Sequence, residues 1–225
     1  MRYEEYLKTQ LEKLKKAGLI TTDELPDMDL YIDQVSSVFQ KFLDKLDGGL
    51  ADKYVTKPMI NNYAKRGLIA RPEGKRYSRD HMVMIAMVIY LRSIFKMEDI
   101  SKIMKPLIES YNSEFDEAIS PEVVYSLAQE ATEKNRLEFF SGIDDSVSVI
   151  KKNIEDTDIA DDQRMEVLVL ILTLAMRAEM EKYLAERLMR VYFEQPEKEK
   201  KEKIRRSRSS AGEKDRRNDE EISEI

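Results

Sequence analysis

The residues best placed to do chemistry in this sequence are cations. Lys53, Lys57, Lys65, Arg66, Arg71, Lys75, Arg76 and Arg79 stand within one short window against the single carboxylate Glu73. The local charge is +7 in a chain whose total is −6, so the other 198 residues carry −13. Such a reversal of sign suits an anionic partner, and amides lie among the cations. An asparagine bonds an adenine edge at two points, while lysine and arginine meet phosphates or guanine, so Asn61 and Asn62 beside Lys65 and Arg66 have the chemistry of major-groove recognition.

Other chemistries find little to work with. Cysteine is absent, which removes disulfides, thiolate metal sites and cysteine nucleophiles. His81 is the one histidine, with no second imidazole to share a metal, and reads as a surface residue or a neighbour of phosphate. Asp156, Asp158, Asp161, Asp162 and Glu166 resemble a calcium loop, but that loop needs glycine at its sixth position and an acid at its twelfth, where Asp161 and Val167 stand. No glycine-rich phosphate loop, nucleophile elbow or acid–base pair is present, so the expectation is a protein that is not an enzyme and takes neither metal nor cofactor.

The elements that must position the cations are helices. Charged residues make up 36% of the chain, glycine and proline are scarce, and Glu, Lys, Leu, Met and Ala dominate, so the expected fold class is all-α. On a wheel of ~100° per residue the stretch 57–66 puts Met59, Ile60, Tyr63 and Ala64 on one arc and Asn61, Asn62, Lys65 and Arg66 on the other. Thr56 is placed to cap this helix, Pro58 sits in its first turn and Gly67 ends it. The stretch "ARPEGKRY" predicts a turn with two strand-like arms around Pro72 to Gly74. Ser78 caps a helix running to Phe95, and a further helix from Met97 breaks at Pro106.

Around this centre, residues 2–17 form a helix ended by Gly18, predicted to pack against the basic unit, and 30–46 a second closed by Gly48 and Gly49. Beyond residue 110 the periodicity weakens, with a helix start at Ser120-Pro121-Glu122 and a short helix at 145–154. The longest predicted helix, 163–193, is apolar nearly all round in its first half and must be covered by the domain or by a second chain. From Glu194 on, ten basic and ten acidic residues leave too few aliphatics to order a tail. Residues 1–17 are charged throughout, unlike a leader, and the apolar run Val167 to Met176 is short of the ~20 residues of a membrane span, so a cytoplasmic protein with no membrane contact is expected.

The stretch from Met59 to Met104 resembles the DNA-binding domain of the MerR family of bacterial regulators. Tyr63, Gly67-Leu68-Ile69, Pro72, Arg76-Tyr77, Leu91-Arg92 and Met97-Glu98-Asp99-Ile100 fall in register with that family's helix, turn, wing and following helices. It is closer still to an uncharacterised bacterial family of MerR-like domains, known only as a domain of unknown function, through "LYIDQV" at 30–35, "TKPMINNY" at 56–63 and "KRYSRDH" at 75–81. Asn61 and Asn62 stand where MerR proteins usually carry Arg and Tyr, and Phe95 where they carry Gly.

The resemblance implies a winged helix-turn-helix at 25–108, with helix 57–66 in the major groove, the wing 70–77 on phosphates, and backbone contacts at Tyr63 and Arg76. The expected DNA-binding residues are Thr56, Lys57, Asn61, Asn62, Tyr63, Lys65, Arg66, Arg71, Lys75, Arg76 and Arg79. A helix at 1–24 precedes this domain, a helical dimerisation or effector region at 109–193 follows it, and the tail is 194–225. The expected function is sequence-specific transcriptional regulation on double-stranded DNA as a homodimer, with any small-molecule effector unknown. The alternative is a helical adaptor whose basic patch docks an acidic protein, or the chain's own residues 113–193, which carry 18 acids against 9 bases.

Overall fold

Local signals account for most of the helix ends. In the computed structural model, which describes residues 2–44, 55–113, 119–155, 157 and 162–194, helix α1 spans Tyr3–Ala17, with Glu4 and Glu5 in its first turn and Lys15 and Lys16 in its last, the signs its dipole favours. Gly18 ends it at φ 63°, and a single 3-10 turn, Thr22–Glu24, follows. Strand β1 is Leu30–Tyr31, helix α2 Ile32–Asp44, helix α3 Lys57–Lys65, strand β2 Arg76–Tyr77 and helix α4 Arg79–Leu91. Helices α5, Met97–Tyr111, α6, Pro121–Ile154, and α7, Gln163–Tyr192, complete the described elements. The chain divides into two units, Met1–Leu184 and Ala185–Ile225, and no described helix is long and apolar enough to cross a membrane.

The C-terminus of α3 is the best-built helix end. Gly67 takes φ 67°, the Leu68 N–H donates to the Tyr63 carbonyl at 2.9 Å and the Gly67 N–H to the Ala64 carbonyl at 3.3 Å. This crossed pair is the Schellman arrangement, closed by the apolar side chains of Tyr63 and Leu68, both fully buried. At the other end Thr56 has the extended backbone of an N-cap, but its side chain makes no capping hydrogen bond.

Several boundaries differ from those the sequence predicts. Helix α2 begins at Ile32 because Leu30 and Tyr31 pair antiparallel with Tyr77 and Arg76. The two arms around Pro72 to Gly74 therefore do not make a ladder with each other; only Glu73 bridges Arg76, and the second arm finds its partner in β1. Proline has no N–H to give a ladder, which favours this outcome. Helix α4 stops at Leu91, four residues early, in turns that run to Phe95. Helix α5 continues through Pro106, whose side is exposed, so water is available to the carbonyl that proline leaves without a donor. Helix α6 is one rod of 34 residues instead of two pieces, and it exceeds the 30 of α7. The helix end at Gly48-Gly49 and the tail from 195 lie outside the described residues.

Two apolar clusters organise these helices. The larger centres on α4, whose Met82 to Ala86, Val88 and Ile89 are all buried, with Val35 and Phe39 of α2, Ile60 and Tyr63 of α3, Ile100 and Met104 of α5 and Tyr125 of α6 around it. The smaller joins Ile150 and Ile154 of α6 to Leu170 of α7, with Tyr3 and Leu7 of α1 against them. Helix α1 thus packs on α6 and α7, whereas the sequence predicts packing on the basic unit; Lys151 donates to Glu4 at 2.5 Å and Arg136 to the Lys15 carbonyl at 3.0 Å.

Candidate functional site

The face of α3 follows from its burial. Ile60 and Tyr63, three residues apart, are fully buried, which turns Lys57, Asn61, Asn62, Lys65 and Arg66 to solvent. The Tyr63 hydroxyl accepts a hydrogen bond from Arg92 at 2.8 Å, fastening α3 to the end of α4. Ser101 of α5 donates to the Arg66 carbonyl at 3.2 Å, and the Arg66 guanidinium reaches Glu98 at 2.5 Å. At the opposite end of the helix Lys57 forms an ion pair with Asp33.

Beside this face lies the turn Glu73–Arg76. The Arg76 N–H donates to the Glu73 carbonyl at 2.8 Å, and the two central residues, Gly74 and Lys75, have φ of 52° and 63°. Two positive φ values in sequence mark a turn of the I′ kind, which suits the twist of paired strands. Lys75 is the single non-glycine residue with positive φ among those described, so a cation stands where the backbone would favour glycine. Arg71, Lys75 and Arg76 are exposed, and the Arg76 guanidinium lies 5.5 Å from the centre of the Tyr31 ring.

Residues 31 to 33 touch both the helix and the turn. Tyr31 receives Arg76 on its ring and Asp33, two residues on, receives Lys57. The end of β1 and the start of α2 thus lie between the cationic turn and the N-terminal end of α3. Neither Tyr31, Asp33, Glu98 nor Arg92 was among the residues expected to form the site. The acid in the first turn of α5 and the Tyr in "LYIDQV" were the available signals.

Two expected contact residues, Tyr63 and Arg79, also make contacts within the fold, and His81 lies elsewhere than expected. Tyr63 has no exposed surface, so its hydroxyl positions Arg92 instead of meeting solvent. Arg79 donates to Glu122 at 2.9 and 3.1 Å, to the Thr22 carbonyl at 3.0 Å and to the Leu25 carbonyl at 3.2 Å, tying α6 and the 3-10 turn to α4. His81, read as a surface residue, is buried. Its Nδ1 accepts the Ser78 N–H at 3.2 Å and lies 2.8 Å from the Ser78 hydroxyl, while Tyr77 and Tyr111 meet its ring edge to face. Burial holds its pKa below the usual histidine value, opposed by the Arg71 backbone and the carboxylates of Asp80, Asp29 and Glu73. Nε2 nonetheless has no partner at hydrogen-bond distance among the described residues.

A mixed cleft of about 460 Å³ between α1, α6 and α7 is lined by Tyr3, Glu4, Lys151 and Glu166 among others. Burial and the Glu166 carboxylate push the Tyr3 hydroxyl up to about 12, and the Lys151 ammonium lowers the Glu4 carboxyl. Among the described residues no group of three or more His, Asp or Glu is placed to hold a metal ion; Asp156, Asp158 and Asp161 lie outside them.

Helices α2 to α5 with the β1–β2 pair make a helical arrangement with a two-stranded sheet and an exposed cationic face. Residues 20–128 match the family model of a domain of unknown function (DUF1836). The match begins at Ile20, whose N–H donates to the Tyr90 hydroxyl at 3.0 Å and whose carbonyl accepts from Tyr125 at 2.7 Å, so it takes in the segment and the start of α6 that close over α4. No curated protein and no solved structure matches the chain.

Proposed function

We propose that this protein is a sequence-specific DNA-binding transcriptional regulator, with α3 entering the major groove and the Glu73–Arg76 turn acting as a wing on phosphates. The observation that carries the proposal is the exposed face of α3: Asn61 and Asn62 point to solvent with Lys65 and Arg66, beside the exposed cations of the turn. The likeness to the MerR domains described above supports it. In this reading Asn61 and Asn62 contact bases, Lys65, Arg71, Lys75 and Arg76 contact phosphates, Thr56 lies at the positive end of α3, and Tyr63 and Arg79 act by holding the reader in place.

A regulator of this kind meets two half-sites as a homodimer. Helix α7 offers Leu172, Met176, Met180 and Tyr183, all exposed in the single chain, as the face for a second copy. The test is binding of duplex DNA measured across salt. The proposal expects log affinity to fall linearly with log salt, Lys75→Ala to weaken every duplex alike, and Asn61→Ala to relax sequence preference. A protein whose affinity for duplexes is undetectable at low salt overturns it and leaves the adaptor.

A further inference from the structure

Both ends of α3 carry an acid that DNA recognition does not call for. Lys57, in the first turn, is paired with Asp33 of α2; Arg66, at the C-cap, is paired with Glu98 of α5. All four side chains are substantially exposed, Lys57 and Asp33 at 54% and 64%, Arg66 and Glu98 at 41% and 66%. Exposed pairs contribute only about 0 to 1 kcal/mol, so the fold has little need of them. Their effect on the surface charge is larger. Lys57, Lys65 and Arg66 give the face of α3 a charge of +3, and Asp33 and Glu98 reduce it to +1. The turn keeps +2, from Arg71, Lys75 and Arg76 against Glu73.

The neutralised ends bracket Asn61 and Asn62. A phosphate approaching either end of the helix has to displace a carboxylate from its cation, whereas a base edge approaching the middle meets two amides and no acid. The Ser101 hydroxyl, from the same helix as Glu98, holds the Arg66 carbonyl at 3.2 Å, so the backbone carrying that guanidinium is fixed against the helix that supplies the acid.

We propose that Asp33 and Glu98 are specificity-determining residues: they withhold Lys57 and Arg66 from phosphates of arbitrary sequence, leaving nonspecific affinity to the turn and engagement of α3 to sites where Asn61 and Asn62 find their bases. This rests on the DNA-binding function proposed above. Removing either acid frees a cation for one more phosphate, so nonspecific binding tightens and discrimination falls.

The experiment compares the full chain with Asp33→Asn, Glu98→Gln and Lys75→Ala, by fluorescence anisotropy on a short duplex of random sequence across a salt series. Asp33→Asn and Glu98→Gln are expected to bind more tightly than wild type and to steepen the slope of log affinity against log salt by about 0.9 for each phosphate gained. Their advantage then widens about threefold between about 200 and about 50 mM salt. Thermal unfolding of both variants stays at the wild-type temperature, which shows that the change is electrostatic. If Lys75→Ala weakens binding while the two acid variants match wild type at every salt, this inference fails and the DNA-binding function stands. If no protein in the set binds duplex even at the lowest salt, the function fails and the inference with it.

Discussion

The Arg92 guanidinium donates to the fully buried Tyr63 hydroxyl at 2.8 Å, so the helix that carries Asn61 and Asn62 is anchored from beneath by the end of α4. A hydrogen bond from a charged donor contributes about 1.5 to 3 kcal/mol, and its loss inside a packed cluster is not repaired by water. Tyr63→Phe is expected to lower unfolding free energy by about 2 kcal/mol in urea titrations, whereas the exposed Asn61→Ala stays within about 0.5 kcal/mol of wild type. Equal stability of the two variants contradicts the anchor.

Lys75 separates charge from backbone. At φ 63° a residue with a Cβ is strained by about 1 kcal/mol, and glycine is not. Lys75→Gly and Lys75→Ala both remove the cation and are expected to lose DNA affinity equally. In thermal unfolding Lys75→Gly should exceed Lys75→Ala by about 1 kcal/mol. The reverse order of stability shows that the turn does not hold this conformation in solution.

His81 gives the protein a dependence on pH with a definite sign. Because burial depresses its pKa in the folded chain, the unfolded chain binds the extra proton first as pH falls below the ordinary histidine value near 6.5. Stability should therefore decline from there downward until the folded-state pKa is passed, by no more than about 1.4 kcal/mol per pH unit for one proton. Protonation also removes the Nδ1 acceptor of the Ser78 N–H. His81→Gln retains an acceptor at the third helical position, as in a capping box, without titrating. Asp80, raised chiefly by burial, contributes with the opposite sign at lower pH, so the measurement is the difference between wild type and His81→Gln across pH 5 to 7. Parallel curves contradict the account.

Helix α7 predicts an oligomeric state. Met176 and Met180 are 65% and 67% exposed in the single chain and share a shallow trough with Glu179 and Tyr183. Sedimentation equilibrium is expected to give wild type twice the 26.4 kDa chain mass, and Met176→Glu combined with Met180→Glu the chain mass. Wild type at the chain mass removes the homodimer.

What the sequence disclosed and what it concealed follow from the range of the interactions. Helix α3 was legible because everything that shapes it is local: Pro58 in its first turn, Gly67 past its end, and a 3.6-residue period that separates Ile60 and Tyr63 from the asparagines. The pairing of β1 with β2 was not, because each strand is two residues long and its partner lies over 40 positions away. Arg79 and His81 were misread for a related reason. A polar side chain is drawn inside by partners the fold brings to it, here the acceptors Glu122 and the Thr22 and Leu25 carbonyls for Arg79 and the donating Ser78 N–H for His81, and only the last is near in sequence. The continuity of α6 was obscured because its middle is exposed nearly all round and shows no apolar stripe. The acids bracketing α3 were visible as residues, but their pairing with Lys57 and Arg66 required the packing of α2 and α5.

Selection of bound duplexes from a random pool at physiological salt tests the central claim most directly. The account predicts enrichment of a palindromic sequence by wild type, and loss of base preference at one position of each half-site when Asn61 is replaced by alanine. A pool that remains random after repeated rounds with the folded protein contradicts it.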